Sequence, residues 1–155
     1  MKNVKQQKGF TLIELLVVIG ILAVLLAITL IAINPAKQFA QANNTKRRSD
    51  VNAILNAVDQ YAADHKGVLP DGITTTALTL KKPVGTDGID ICADLVPTYI
   101  AALPSDPQES SGVAVSDCAA AEYNTGYTIS KSASNNRLTV TATIIELSDP
   151  VSVTR

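Results

Sequence analysis

The feature that most constrains this chain is a run near its start. From Leu15 to Ile33 all 19 residues are apolar except Gly20 and Thr29. At about 1.5 Å of rise per residue, a helix of that length crosses roughly 28 Å, the thickness of a bilayer's hydrocarbon layer. A fully soluble cytoplasmic globule is a poor fit to such a segment. Upstream, Met1 to Gly9 carries Lys2, Lys5 and Lys8 and no acid. That bias predicts a cytoplasmic amino end, with everything after Ile33 outside. Ala40-Gln41-Ala42 offers an A-x-A cleavage site. The apolar run nevertheless exceeds the roughly 7–15 residues of a secretory signal, so the expectation is a retained span.

The composition excludes other readings. Thirteen Lys and Arg stand against 14 Asp and Glu in 155 residues, so there is no global basic field of the kind that holds nucleic acid. A second histidine, a nucleophile elbow, a phosphate-binding glycine loop and a metal-ligand cluster are all missing, so neither catalysis nor a cofactor is expected. Within the apolar stretch that starts at Phe10, Glu14 is an anomaly. A carboxylate deep in a bilayer costs about 3 kcal/mol on insertion scales, less near an edge, and such groups usually have a partner. Either Glu14 snorkels to the headgroups or it awaits a cation from another chain.

The string Lys8-Gly9-Phe10-Thr11-Leu12-Ile13-Glu14-Leu15-Leu16 resembles the processing site of type IV pilins and pseudopilins. The resemblance implies a prepilin peptidase that cuts after Gly9 and methylates the new amino terminus on Phe10, with the apolar helix left attached. It makes Glu14 the acid that neutralises the Phe10 amine of a neighbour already in a filament. It also implies a set of partners: further copies of the chain, minor pilins, and an inner-membrane assembly platform with its ATPase. The chain would first cross the cytoplasmic membrane once with its head outside, then enter an extracellular pilus or a periplasmic pseudopilus. The layout so implied is a leader at 1–9, a membrane and filament-core helix at 10–33, its amphipathic continuation at 34–66, and a head at 67–155.

Asn34-Pro35 follows the span, and a proline inside a helix removes one hydrogen bond and kinks it, so Pro35 is the expected kink. Many type IV pilins carry such a proline about one turn earlier, where this chain has Ile31. Val51, Ile54, Leu55, Val58, Tyr61 and Ala62 then recur at helical spacing with one apolar face. This helix should run to Asp64 or His65 and be ended by Gly67 and Pro70. Its polar first half contains Lys46-Arg47-Arg48, read as a solvated, intersubunit or headgroup-facing patch that binds nucleic acid weakly if at all. Removal of the leader lysines leaves 10 bases against 14 acids, which further disfavours DNA. His65, the only histidine, suits a helix C-terminus.

Beyond Gly67 the helical period disappears. Asp71 to Asp90 reads as a connecting loop with one short strand near Thr76 to Leu80. Asp87, Asp90 and Asp94 form a loose acidic group whose spacing does not fit an EF-hand, and a solvated loop is the preferred reading over a calcium site. Leu103-Pro104-Ser105-Asp106-Pro107 reads as an anchored turn and resembles the turn before the sheet of major pseudopilins. Gly126 to Lys131 and Arg137 to Ile144 flank Ser134-Asn135-Asn136 as a hairpin, with Leu138, Val140, Ala142 and Ile144 alternating against threonines. The fold class expected is therefore α+β: a long N-terminal helix packed on a small antiparallel sheet. Cys92 and Cys118, the only cysteines, lie on the outer side, where a disulfide is the default. The function expected is a structural subunit of a type IV pilus or pilus-like filament. Its alternatives are a pseudopilin of a type II secretion system and a membrane-tethered binding module.

Overall fold

The computed structural model describes residues 9–155 and divides into two compact units, one ending at Gln38 and the other spanning Phe39–Arg155. The leader cations Lys2, Lys5 and Lys8 lie outside the described residues.

The first helix, α1, is Leu12–Ile33, with Thr11 as its N-cap and none of its residues buried. Its mean hydropathy of 3.2 and its 22 residues make it long and apolar enough to cross a membrane. It stops at Asn34, which adopts a left-handed conformation with φ 45°. Pro35 then opens the second helix, α2, Pro35–Asp64, instead of lying inside one continuous helix. The reason is local: proline disfavours the helical conformation in the residue before it, yet is well suited to a helix's first position. The Asn34 side-chain oxygen accepts the Lys37 N–H at 3.3 Å and caps the new helix. At the other end, Lys66 and Gly67 both turn left-handed, with φ 57° and 88°. The Gly67 N–H closes back on the Ala62 carbonyl at 2.7 Å, so the stop falls where Gly67 predicted it.

The rest of the second unit is a five-stranded sheet in the order β2-β1-β3-β4-β5. Its strands are β1 (Leu78–Lys82), β2 (Gly88–Ile89), β3 (Tyr123–Lys131), β4 (Leu138–Ala142) and β5 (Ser152–Thr154), and a short helix α3 (Cys92–Leu95) follows β2. The sheet is mixed rather than purely antiparallel, because β2 pairs parallel to β1. After Lys82 the chain doubles back, and the Thr79 N–H takes the Asp87 carbonyl at 2.8 Å, so β2 starts beside Thr79. Only glycine fits at Gly88, where a Cβ would lie 2.3 Å from the Val84 carbonyl oxygen. The expected hairpin is β3 and β4, paired through Tyr127–Ala142 and Lys131–Leu138. Its second strand ends at Ala142, two residues short of the expected Ile144.

Leu138, Val140 and Ala142 point inward, while Thr139 and Thr141 face out. The α2 face of Val51, Ile54, Leu55 and Val58 is fully buried against Leu80, Tyr127, Ile129 and Val140 of the sheet. Each such aliphatic side chain contributes about 1.5–3 kcal/mol of transfer free energy.

Candidate assembly site and the anchoring of the head

Thr11-Leu12-Ile13-Glu14 folds as a capping box. The Glu14 carboxylate accepts the Thr11 N–H at 2.8 Å and the Thr11 hydroxyl at 2.7 Å, while the Glu14 N–H donates to the Thr11 Oγ1 at 3.3 Å. Helix ends leave their first N–H groups without partners, and this exchange satisfies two of them, those of Thr11 and Glu14. Because the cap is at Thr11, Gly9 and Phe10 precede the helix in non-helical chain. Both are exposed, and Phe10 is 85% so. Glu14 is thus a carboxylate folded back onto the backbone one residue beyond Phe10, within an otherwise apolar and unburied segment. The Thr-x-x-Glu string was legible in the sequence as a capping box, although attention to the charge alone passes over it.

In the second unit the cluster Lys46-Arg47-Arg48 departs from a solvated patch. Arg47 is completely buried. Its Nε donates to Asp106 Oδ2 at 2.6 Å and its Nη2 to Asp106 Oδ1 at 3.0 Å, a two-pronged pair. Asn44 at 2.8 Å, Gln108 at 3.2 Å and Glu146 take the remaining donors. Five oxygen contacts match the five donors of a guanidinium, so the charge is buried with nothing unsatisfied. The adjoining carboxylates hold Arg47 still more firmly protonated than usual, Asp106 most of all. Lys46 pairs with Asp50 at 2.8 Å and Arg48 with Asp149 at 2.6 Å. As the helical geometry requires, the three cations point in different directions. What sequence reasoning missed is that one points inward, toward an aspartate in the Leu103–Pro107 turn.

The same turn leans on Gly126, whose φ of +73° and lack of a Cβ let Glu109 and Asp106 approach. Tyr127 ties β3 to α2 by donating to Asp50 at 2.8 Å. Tyr123 donates to Asp90 at 2.6 Å. Burial, followed by these carboxylates, pushes both phenols well above their ordinary range. Cys92, buried at the start of α3, is bonded to Cys118 with their Cα atoms 5.4 Å apart.

The acidic trio does not converge. Asp87 pairs with Lys81 at 2.7 Å, and that lysine holds its carboxyl below the usual range. Asp90 is occupied by Tyr123 and the Cys92 N–H. Asp94 is pushed upward by burial and by its neighbours Asp71 and Asp90. Among the described residues no group of three or more His, Cys, Asp or Glu is placed to hold a metal ion. His65 stacks on Tyr61 with ring centres 3.9 Å apart.

An apolar, unburied N-terminal helix opened by a Gly-Phe-Thr-Leu-Ile-Glu string, followed by an α+β unit with a mixed sheet, defines a type IV pilin-like protein. Residues 4–30 match the family described as prokaryotic N-terminal methylation motif. The chain is similar to type II secretion system core protein G of Pectobacterium carotovorum, at 33% identity over 66% of this chain and 62% of that protein. Its similarity to the core protein G of Pseudomonas aeruginosa is 32% over 66% of this chain and 69% of the relative, and to that of Vibrio cholerae 31% over 69% of each. The chain belongs to this core protein G family. No solved structure matches it.

Proposed function

We propose that this chain is a structural subunit of a pseudopilus-type filament. In this reading a prepilin peptidase cuts between Gly9 and Phe10 and methylates the Phe10 amine. Helix α1 first anchors the subunit in the cytoplasmic membrane and then enters the filament core, leaving the second unit outside as the head. The partners are other copies of this chain, minor pilin-like subunits, and a membrane assembly platform driven by its ATPase. The filament is periplasmic, as the similarity to secretion-system proteins suggests, and the chain catalyses nothing itself.

One observation carries the reading: an exposed, non-helical Gly9–Phe10 bond lies directly before a capped apolar helix whose single carboxylate is Glu14. A peptidase needs an accessible bond free of helical hydrogen bonds, which this segment supplies. A polymer gives a use to a carboxylate that is costly in a membrane. Packing and charge pairing then supply the gain when helices leave lipid for an equally apolar bundle.

The test is intact-mass measurement of the subunit recovered from sheared filaments of cells that carry the whole assembly machinery. A chain beginning at methylated Phe10 is expected. A terminus at Asn43, after Ala42, would mean ordinary signal cleavage and would overturn the reading.

A further inference from the structure

Helix α2 begins with two turns that the head does not cover. Of residues 35–42 only Ala40 is even partly buried. The first α2 side chains to bond the head are Asn43 and Asn44, which reach Glu146 at 3.4 and 3.1 Å. At 3.6 residues per turn, Pro35, Ala36, Phe39, Ala40 and Ala42 fall on one side of these turns and Lys37, Gln38 and Gln41 on the other. The apolar side carries one large side chain, Phe39, and 71% of it is exposed. The charge is also one-sided. Residues 15–49 contain no Asp or Glu. Among the described residues no carboxylate pairs with Lys37, whereas Lys46, Arg47 and Arg48 each have one.

The covalent chain fixes what lies beside this segment. The 22 residues of α1 measure about 33 Å against about 30 Å of hydrocarbon, so a spanning α1 brings Ile33 to the hydrocarbon edge. From Ile33, two Cα steps of about 3.8 Å and one helical turn of about 6 Å hold the Phe39 Cα within about 14 Å, at any angle between the helices. The headgroup layer extends about 5–8 Å beyond the hydrocarbon, so the Phe39 ring can reach it at every such angle. A short helical segment with an aromatic ring on one side and lysine on the other matches the headgroup layer, apolar below and anionic above.

We propose that, while α1 crosses the membrane, the first turns of α2 dock in the outer headgroup layer, with Phe39 seated at the boundary with the acyl chains and Lys37 among the lipid phosphates. This rests on the membrane-anchored stage of the filament reading and adds a lipid contact beyond the span itself.

The chain contains no tryptophan, so Phe39→Trp introduces a single fluorescent reporter. The full chain is reconstituted into vesicles of phosphatidylethanolamine and phosphatidylglycerol, with and without lipids brominated on the acyl carbons nearest the glycerol. Val68→Trp, at a 60% exposed position beyond α2, is the reference. Brominated lipid should quench Phe39→Trp several-fold more than Val68→Trp, and aqueous acrylamide should do the reverse. Adding Lys37→Glu to Phe39→Trp should weaken the lipid quenching, because anionic headgroups repel a carboxylate. Equal lipid quenching of the two reporters, or acrylamide quenching of Phe39→Trp as ready as that of Val68→Trp, overturns the inference. Emission shielded from both quenchers also overturns it, since protein such as a second copy would then cover Phe39. Lipid quenching unchanged by Lys37→Glu removes the phosphate contact. Chains that wash off the vesicles at alkaline pH strike the membrane anchor instead.

Discussion

Arg47 shows how one residue can carry a head of this size. Its side chain bridges α2 to Asp106 in the 103–107 turn and to Glu146 in the β4–β5 loop, contacts that lie 59 and 99 residues away in sequence. A buried ion pair adds little over an apolar core, but removing one partner leaves the other charged and stranded. Arg47→Ala should therefore cost about 3–5 kcal/mol, read as a lower urea midpoint for the full chain in detergent. Arg47→Lys should recover only part, since an ammonium cannot reproduce the two-pronged bond to Asp106. An Arg47→Ala midpoint equal to wild type would show that the network contributes nothing. Gly126 is the second sensitive residue. A Cβ there would stand 2.7 Å from Glu109 Cγ and 2.9 Å from Asp106 Cβ, on a backbone at φ +73° that alanine rarely adopts. Gly126→Ala should destabilise by about 2 kcal/mol or more and lower the melting temperature measurably.

Among the elements, the contacts of β3 with α2, through Tyr127, and with the segment after β2, through Tyr123, have a pH signature. Tyr127 and Tyr123 donate to Asp50 and Asp90, and both phenols are raised above their ordinary value. A raised pKa favours the neutral form in the folded state. Its stabilising contribution is whole below the unfolded tyrosine pKa of about 10 and is lost as pH climbs beyond it. Chemical denaturation between about pH 8 and 11 should then show stability falling on the alkaline side. In Tyr127→Phe that alkaline slope should be shallower, and at neutral pH the variant should lose about 1 kcal/mol for the missing hydrogen bond. An unchanged slope would remove Tyr127 from the account. Elements with a local signature were readable in the sequence: the apolar run, the Val51–Tyr61 face, the Gly67 stop and the β3–β4 hairpin. The two-residue β2 and the three-residue β5 are too short for any alternation to register. The Leu147-Ser148 turn between β4 and β5, left-handed at both residues, lacks the Asn-Gly or Asp-Gly string that announces such a hairpin. Arg47 with Asp106 depends on tertiary packing, which neither periodicity nor propensity encodes. The capping box was written plainly at Thr11 and Glu14, where the membrane cost of the charge drew the reading away from it.

At the scale of the whole molecule, the disulfide and the carboxylate serve different stages. Cys92–Cys118 spans 26 residues and, by the loop-entropy estimate, is worth about 3.6 kcal/mol, a large share for a small head. Thiol labelling of native protein without reductant should find no free cysteine, and reduction should lower stability without touching α1. In the proposed filament, Glu14 concerns assembly instead. In the single chain its carboxylate accepts two hydrogen bonds from Thr11, which offset part of the cost of the charge but supply no counter-ion. Cleavage after Gly9 would give a neighbour's Phe10 in the proposed filament an amine as an ionic partner for Glu14, and ionised partners make the stronger hydrogen bonds. Glu14→Ala should therefore leave membrane insertion and cleavage after Gly9 intact, because a less polar residue only eases insertion. It loses the cap, a cost of about 1 kcal/mol confined to the first turn of α1. What should fail is growth, with processed subunits accumulating in the membrane. Glu14→Asp keeps the charge on a side chain one methylene shorter and should give an intermediate filament yield. Thr11→Ala isolates the cap from the charge: if filament growth depends on the ionic pair, Thr11→Ala subunits should still polymerise where Glu14→Ala subunits do not. Normal filament number and length from Glu14→Ala subunits expressed without wild-type chains would remove the carboxylate from the assembly mechanism.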